Sequence, residues 1–125
     1  MTTHPDTARD DVTTAFLRYE SALVSNDVPV LDELFWADRR TVRFGAAEEL
    51  FGHREIAQFR STRPSAGLDR TLERVEITPF GSDHAVANAT FRRDGIAAVG
   101  RQTQVWVRIS GEWRVVSAHV SSRPD

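Results

Sequence analysis

The first third of the chain has apolar residues at helical spacing. Between residues 12 and 23 they recur every three or four positions, the pattern of a helix that buries one face. This stripe consists of Val12, Ala15, Phe16, Tyr19, Ala22 and Leu23. Asp6 or Thr7 is a suitable cap for the start of this helix, and the polar residues 25–27 predict its end.

Two shorter helices and a strand follow before residue 64. Asn26 or Asp27 is a suitable cap for a second helix, which has Pro29 in its first turn. Its apolar side consists of Leu31, Leu34, Phe35 and Trp36. Residues 41–45 read as a strand, and the acidic residues 46–50 read as a hairpin-like connection. A third helix is predicted from Gly52 to about Ser61, and it presents Ile56 and Phe59.

After Pro64 the period changes from helical spacing to alternation. Four segments rich in β-branched and aromatic residues read as strands, at 68–78, 84–93, 97–109 and 112–121. Short segments with Gly, Asp or Ser separate these four strands and are typical antiparallel turns. We therefore expect one α+β domain over residues 1–125, with flexible ends at 1–5 and 123–125. Its helices pack on one face of a curved antiparallel sheet and leave a cone-shaped pocket.

The composition narrows the classes of function. The chain has no cysteine, which excludes disulfides, thiolate metal sites and a cysteine nucleophile. Sixteen basic against eighteen acidic residues give a net charge of −2, which argues against a nucleic-acid partner. All sixteen basic residues are arginine, so an interior cation has to be a guanidinium or a histidine. With no long apolar run and a polar start, we expect no membrane contact and a cytoplasmic protein.

The end of the chain carries a first resemblance. The segment from Gly111 to Ser121 has the pattern Gly-x-Trp-(x)5-His-x-Ser. This pattern resembles the cone-shaped superfamily of nuclear transport factor, ketosteroid isomerase and SnoaL-like proteins. That fold serves enzymes and binding domains alike, so the resemblance implies a fold and leaves the function open.

A combination of motifs carries a second, more specific resemblance, which covers residues 10–122. The motifs are Tyr19, Leu34-Phe35-Trp36, Val42-Arg43-Phe44-Gly45, Phe59-Arg60-x-x-Arg63 and Gly100-Arg101-Gln102-x-Gln104. Together they resemble the AtzH-like family, which includes the oxalurate-catabolism (HpxZ-like) proteins. The resemblance implies a cofactor-free decarboxylating amidohydrolase for N-carboxylated ureas, of the dicarboxyurea-to-allophanate type. The essential pair of the family, a helix-1 tyrosine and a first-strand arginine, corresponds to Tyr19 and Arg43.

The residues themselves leave alternatives open at both positions. Tyr19 is either a packed aromatic residue whose hydroxyl bonds to the backbone, or a phenol that donates a proton in the pocket. Arg43 alternates with Val42 and Phe44, so it is either a surface residue or a cavity residue. A buried arginine requires an acidic partner or an anionic ligand.

Four further residues are candidates for substrate binding. Arg60 and Arg63 are either surface charges at a helix C-terminus or a second carboxylate clamp. Gln104 shares a strand face with Gln102 and Trp106, which favours a polar cavity. His119 is either a ligand of the substrate or a structural or dimer-face histidine. The four histidines include no i, i+4 pair, and no Gly-x-Ser-x-Gly elbow is present, so we expect neither a metal nor a nucleophilic serine.

The expected partner is a small anion that bears carboxylates. A second reading of the function is a non-catalytic anion-binding or accessory domain in ureide breakdown, beside an amidase. A third reading, a SnoaL-like isomerase or cyclase, is disfavoured because Arg43 and Gln104 stand where that chemistry needs carboxylic acids.

We also expect a homodimer through the convex sheet face. The expected interface residues are Ala97, Val99, Val105, Val107, Val115 and His119.

Overall fold

Helices precede strands along the chain, as the periodicity predicts. The computed structural model describes residues 5–125. The helices are α1 (Pro5–Val24), α2 (Val28–Leu34) and α3 (His53–Thr62). The strands are β1 (Val42–Phe44), β2 (Glu49–Phe51), β3 (Thr71–Pro79), β4 (His84–Arg92), β5 (Val99–Ile109) and β6 (Glu112–Arg123). Within this part of the chain, no helix is long and apolar enough to cross a membrane.

The ends of the helices follow local signals, with one exception. The side chain of Asp27 accepts a hydrogen bond from the amide of Val30 at 3.3 Å, which confirms the predicted cap of α2. The predicted caps of α1, Asp6 or Thr7, are wrong because the helix already includes Pro5. Proline is favoured in the first turn, where its missing N–H costs nothing. Residues 1–4, predicted to be flexible, lie outside the described residues.

The sheet is curved and open, and it contains more strands than the four long ones. Its order is β2-β1-β6-β5-β4-β3, so β2 and β3 form the edges. The four long strands pair antiparallel as expected, whereas β1 joins the sheet parallel to β6. The predicted α+β fold is confirmed, with one parallel pair added.

The core lies between the helices and the inner face of the sheet. The apolar stripe of α1 packs there, with Val12 and Phe16 fully buried. Inner-face residues of the long strands oppose it, including Trp106 on β5 and Val115 on β6. Several inner positions carry the small side chain of alanine: they are Ala85, Ala87, Ala89 and Ala118.

An irregularity in β6 reverses its alternation and corrects part of the predicted dimer interface. Val105 pairs with Ser117, but the next residue, Trp106, pairs with Val115, so Val116 is inserted. Such an insertion shifts which residues face each side of the sheet. Val115 was expected on the convex face and is instead fully buried in the core. Val99 is also buried within the protomer.

Candidate functional site

One row of paired residues crosses the inner face of the sheet. Gln104 on β5 pairs with Ala118 on β6, which in turn pairs with Arg43 on β1. Directly paired residues point to the same face, so Arg43 and Gln104 flank the small side chain of Ala118. Their backbones are two strand spacings apart, or roughly 10 Å. A guanidinium and an amide therefore lie on either side of a position that carries only a methyl group.

Tyr19 lies on the buried face of α1, within the core. It is 2% exposed, and its ring centroid is 6.1 Å from that of Phe35, the residue that ends α2. Within residues 5–125 its hydroxyl forms no hydrogen bond, so the expected alternative of a backbone partner is not seen. The phenol is thus an inward-facing group without a structural partner in the described part of the chain.

Arg43 faces the interior and is 7% exposed, which excludes the surface alternative. Its Nη1 donates to Oε1 of Glu48 at 2.7 Å, so the acidic partner that a buried arginine requires is Glu48. A methyl group at Gly45 would overlap the Glu48 carboxylate, so glycine is needed there for the carboxylate to fold back towards Arg43. The bond uses one nitrogen of the guanidinium and leaves the others for a ligand.

Arg60 is also buried, although its place near the end of α3 suggests a surface charge. It is 1% exposed, and its Cζ lies 4.1 Å from the centroid of the Phe35 ring. Nη1 donates to the carbonyl of Leu31 at 3.3 Å, whereas Nε and Nη2 are buried without a partner. Among residues 5–125 no carboxylate pairs with Arg60, so its charge is uncompensated by direct contact.

Arg63 extends the same group of cations. Its Nε and Nη2 are buried and have no partner, and its Cζ lies 5.7 Å from the ring centroid of Phe59. The guanidinium of Arg43 lies over the same ring, with its Cζ 5.5 Å from the centroid. Phe59 therefore contacts two arginines, from β1 and from the end of α3.

The pKa values of these arginines show that they share one environment. Burial lowers the pKa of Arg60 to about 10; Tyr19 and Asp32 oppose this shift, while the charges of Arg43 and Arg63 add to it. Burial also lowers the pKa of Arg63, and the charge of Arg43 contributes. With a pKa of about 10, Arg60 is charged at neutral pH. The three arginines form a positively charged interior next to Tyr19.

Gln104 lies inside this environment, as the polar strand face predicts. Gln104 and Gln102 are 0% and 3% exposed. The indole Nε1 of Trp106 donates to Oε1 of Gln104 at 3.0 Å, and Nη2 of Arg70 donates to Oε1 of Gln102 at 3.1 Å. Both amide Nε2 atoms are buried without a partner. These two amides offer only N–H groups to a ligand.

Arg70, which the sequence analysis missed, supports this side of the site. Its Nε and Nη2 donate to the two carboxylate oxygens of Glu20 at 2.9 and 2.6 Å. Its Cζ lies 4.1 Å from the centroid of the Phe91 ring, and its side chain is 2% exposed. Arg70 precedes β3 in an irregular segment, and its partner is fifty positions earlier, so no local pattern marks the pair.

His119 lies on the opposite side of the sheet from the other candidates. It is exposed, pairs with Thr103 and packs edge-on against Phe44, with 5.8 Å between ring centroids. It lines a hollow of about 660 Å³ on the outer face, together with Arg74, Glu76, Arg101 and Ser121. The structure therefore does not bring His119 to the other candidate residues, because the inserted Val116 fixes it on the outer face.

The interior group can bind an anion. Arg43, Arg60 and Arg63 supply positive charge, Gln104 supplies a neutral donor, and Tyr19 supplies a hydroxyl. Within residues 5–125, no three His, Asp or Glu side chains are arranged to hold a metal ion. The chemistry available from these side chains is charge stabilisation, orientation and transfer of a phenolic proton.

Comparisons with known structures agree with this architecture. A protein of unknown function from Pectobacterium atrosepticum is 56% identical, with a TM-score of 0.91 over 93% of this chain and 91% of that chain. A cystatin-like fold protein from Burkholderia xenovorans is 37% identical, with a TM-score of 0.92 over 100% and 98% of the two chains.

More distant structures share the fold alone. An NTF2-like protein of unknown function from Pseudomonas putida is 18% identical, with a TM-score of 0.82 over 100% of this chain and 92% of that chain. No curated protein matches the sequence. Residues 3–125 match the AtzH-like family profile, in agreement with the motifs around Tyr19 and Arg43. The chain belongs to the AtzH-like family.

Proposed function

We propose that this protein is a cofactor-free decarboxylating amidohydrolase for a small N-carboxylated urea or a related carboxylated amide. The observation that carries the proposal is the buried cation Arg60, which no carboxylate neutralises within residues 5–125, beside Arg43 and Tyr19. A buried charge without a partner costs several kcal/mol in general, and an anionic ligand offsets that cost. Membership of the AtzH-like family supports the choice of reaction, of the dicarboxyurea-to-allophanate type.

Arg43 binds one carboxylate of the substrate in this proposal. Its guanidinium is positioned by Glu48 through one nitrogen and keeps N–H groups for a ligand. Paired N–H groups of arginine match the two oxygens of a carboxylate, so they fix its orientation as well as its position. Fixing the carboxylate relative to the urea plane aligns the C–N bond that breaks.

Tyr19 supplies the proton. The bond between a terminal carboxylate carbon and the urea nitrogen breaks, the carbon leaves as CO2, and the nitrogen takes one proton. Hydration of the CO2 makes the net change a hydrolysis of the C–N bond. The Tyr19 hydroxyl has no structural partner in residues 5–125, and it lies close enough to Arg60 and Arg63 to influence the pKa values of both. Solvent then returns the proton to the phenol.

Arg60 and Arg63 bind the second carboxylate. A substrate with a carboxylate at each end needs a second cation, and Arg60 is the buried guanidinium without a carboxylate of its own. Such dianions arise in the breakdown of ureides, where an amidase acts on the allophanate that this reaction releases. The proposal therefore places the protein in nitrogen catabolism beside an amidase.

The experiment measures CO2 release from dicarboxyurea generated in place. Wild type is compared with Arg43→Ala, Tyr19→Phe and the control Arg101→Ala, an exposed arginine on the outer face. We expect release by wild type and by Arg101→Ala, and none above background by Arg43→Ala. Tyr19→Phe should bind substrate with similar affinity but turn over about 100-fold or more slowly.

The rival function is a non-catalytic anion-binding or accessory domain. Binding of N-carboxyureas, oxalurate or allophanate by wild type without any turnover would support that rival. Full activity in Tyr19→Phe would exclude the proton-transfer role while leaving the reaction in place. Binding of an apolar polycyclic ligand would instead favour a SnoaL-like isomerase, which the guanidiniums of Arg43 and Arg60 disfavour.

A further inference from the structure

Four side chains of the interior group carry buried polar atoms that have no partner within residues 5–125, and on these four side chains all such atoms are donors. They are Nε and Nη2 of Arg60, Nε and Nη2 of Arg63, and Nε2 of Gln102 and of Gln104. The only acceptor atoms on these four side chains are the two glutamine oxygens, and both already accept hydrogen bonds. A ligand that enters this part of the site therefore meets N–H groups alone.

Two neighbouring residues force this arrangement. An indole N–H donates and cannot accept, so the Oε1 atom of Gln104 must point to Trp106, at 3.0 Å. A guanidinium likewise only donates, so the Oε1 atom of Gln102 must point to Arg70, at 3.1 Å. Neither amide can rotate to present its oxygen without leaving two donors facing each other.

Trp106 and Arg70, which donate to the two glutamines, are themselves held in place by their surroundings. Trp106 is fully buried in the core beneath α1. Arg70 is fixed by both oxygens of Glu20 and by the ring of Phe91. Buried donors without partners cost about 1–3 kcal/mol each, so their retention is explained by a ligand that accepts from them.

We infer that Trp106 and Arg70 are positioning residues that hold Gln104 and Gln102 as donors, so that the site takes a carboxylate at this end and rejects a carboxamide. A carboxylate has two acceptor oxygens and satisfies the donors. The NH2 of a carboxamide of the same shape would face the free N–H group of Gln104. The inference rests on the proposed function and adds that the substrate must be ionised at both ends.

The test compares two ligands of equal length, glutarate and its monoamide glutaramate. Both have the five-atom chain of a dicarboxylated urea, and they differ only in one terminal group. Isothermal titration should show wild type binding glutarate at least about tenfold more tightly than glutaramate, because an unsatisfied donor contact costs at least that much.

Trp106→Phe removes the indole N–H that holds the Gln104 oxygen, so the preference for glutarate over glutaramate should fall to about threefold or less. The matched control is Trp113→Phe, which removes an indole N–H that has no partner in residues 5–125 and should keep the wild-type ratio. Because Trp106 is a core residue, Gln104→Glu provides a second variant. It keeps an acceptor for Trp106 but replaces the free N–H2 by an oxygen, so the preference for glutarate should be lost.

Three results would overturn the inference. The first is equal affinity of wild type for glutarate and glutaramate, and the second is no binding of either ligand. The third is an unchanged ratio of the two affinities in folded Trp106→Phe and Gln104→Glu. Folding of each variant is checked by circular dichroism and thermal melting. The proposed reaction can fail independently of this inference. If the protein prefers glutarate as expected but releases no CO2 from dicarboxyurea, the donor arrangement is supported and the proposed reaction is excluded.

Discussion

At the scale of single residues, the buried charge of Arg60 lowers the stability of the folded protein. A pKa of about 10, well below the usual value for arginine, corresponds to a cost of roughly 3 kcal/mol for keeping the guanidinium charged in the folded protein. The unfolded chain holds this proton more tightly, so the cost is fully present below pH 10. It disappears as the pH rises from 10 towards 12.5.

Arg60→Met should therefore raise the free energy of unfolding at pH 7. The thioether chain keeps the packing on Phe35 but loses the bond to the Leu31 carbonyl, so we expect a net gain of about 1–3 kcal/mol. Urea denaturation at pH 7 and pH 10.5 measures this gain, which should be smaller at the higher pH. Glutarate should raise the Tm of wild type and of Arg101→Met but not of Arg60→Met. An Arg60→Met protein that is less stable than wild type, and whose Tm still rises with glutarate, would contradict this account.

The sequence contains part of the signal for these residues. Arg60 lies four positions after Ile56, which is buried, so helical spacing places both on one face of α3. The position of Arg60 at the end of a helix predicts a solvated cation. Arg60 is buried because α2 and Phe35 pack against α3, and this contact between separate elements is not visible in the local sequence. Arg70 carries no local signal because Glu20 and Gln102 are distant along the chain.

At the scale of elements, β1 determines whether Arg43 reaches the site. The alternation of residues 42–44 predicts a strand, and the turn segments predict the antiparallel order of β3 to β6. Parallel pairing of β1 with β6 is set by contacts more than seventy positions apart, and a pattern within one strand does not specify it. That pairing places Arg43 next to Ala118, and thus opposite Gln104.

Ala118→Leu should block the site without removing any charged or polar group from it. A leucine there fills the space between Arg43 and Gln104, so glutarate should bind at least about tenfold more weakly, from steric exclusion. Titration calorimetry measures the affinity, and thermal melting reports any loss of stability. Ala97→Leu, at an exposed position before β5, is the control. Unchanged affinity in a folded Ala118→Leu protein would mean that the ligand does not lie over this row.

At the scale of the whole molecule, the outer face of the sheet is the surface that the helices leave uncovered. Strands β3 to β6 contain 9 to 12 residues each and present a face roughly 30 Å long. Val105 and Val107 are half-buried on this face, whereas most of their neighbours are polar, including Thr103, which donates to Asn88. A mixed surface of this kind is typical of interfaces, which bury about 800 Å² per partner.

We propose that two copies of the chain pair through this face, and Val105→Glu should separate them. Its neighbour across the strands is Ser117, so a carboxylate there would lie in the middle of the face and be desolvated on pairing, at a cost of several kcal/mol. Light scattering after size exclusion at micromolar concentration should give a dimer for wild type and a monomer for Val105→Glu. Leu17→Glu, at a residue 54% exposed on α1, should remain dimeric. A monomeric wild type would exclude the pairing. A dimer that persists in Val105→Glu but not in Leu17→Glu would mean that the interface lies on the helices.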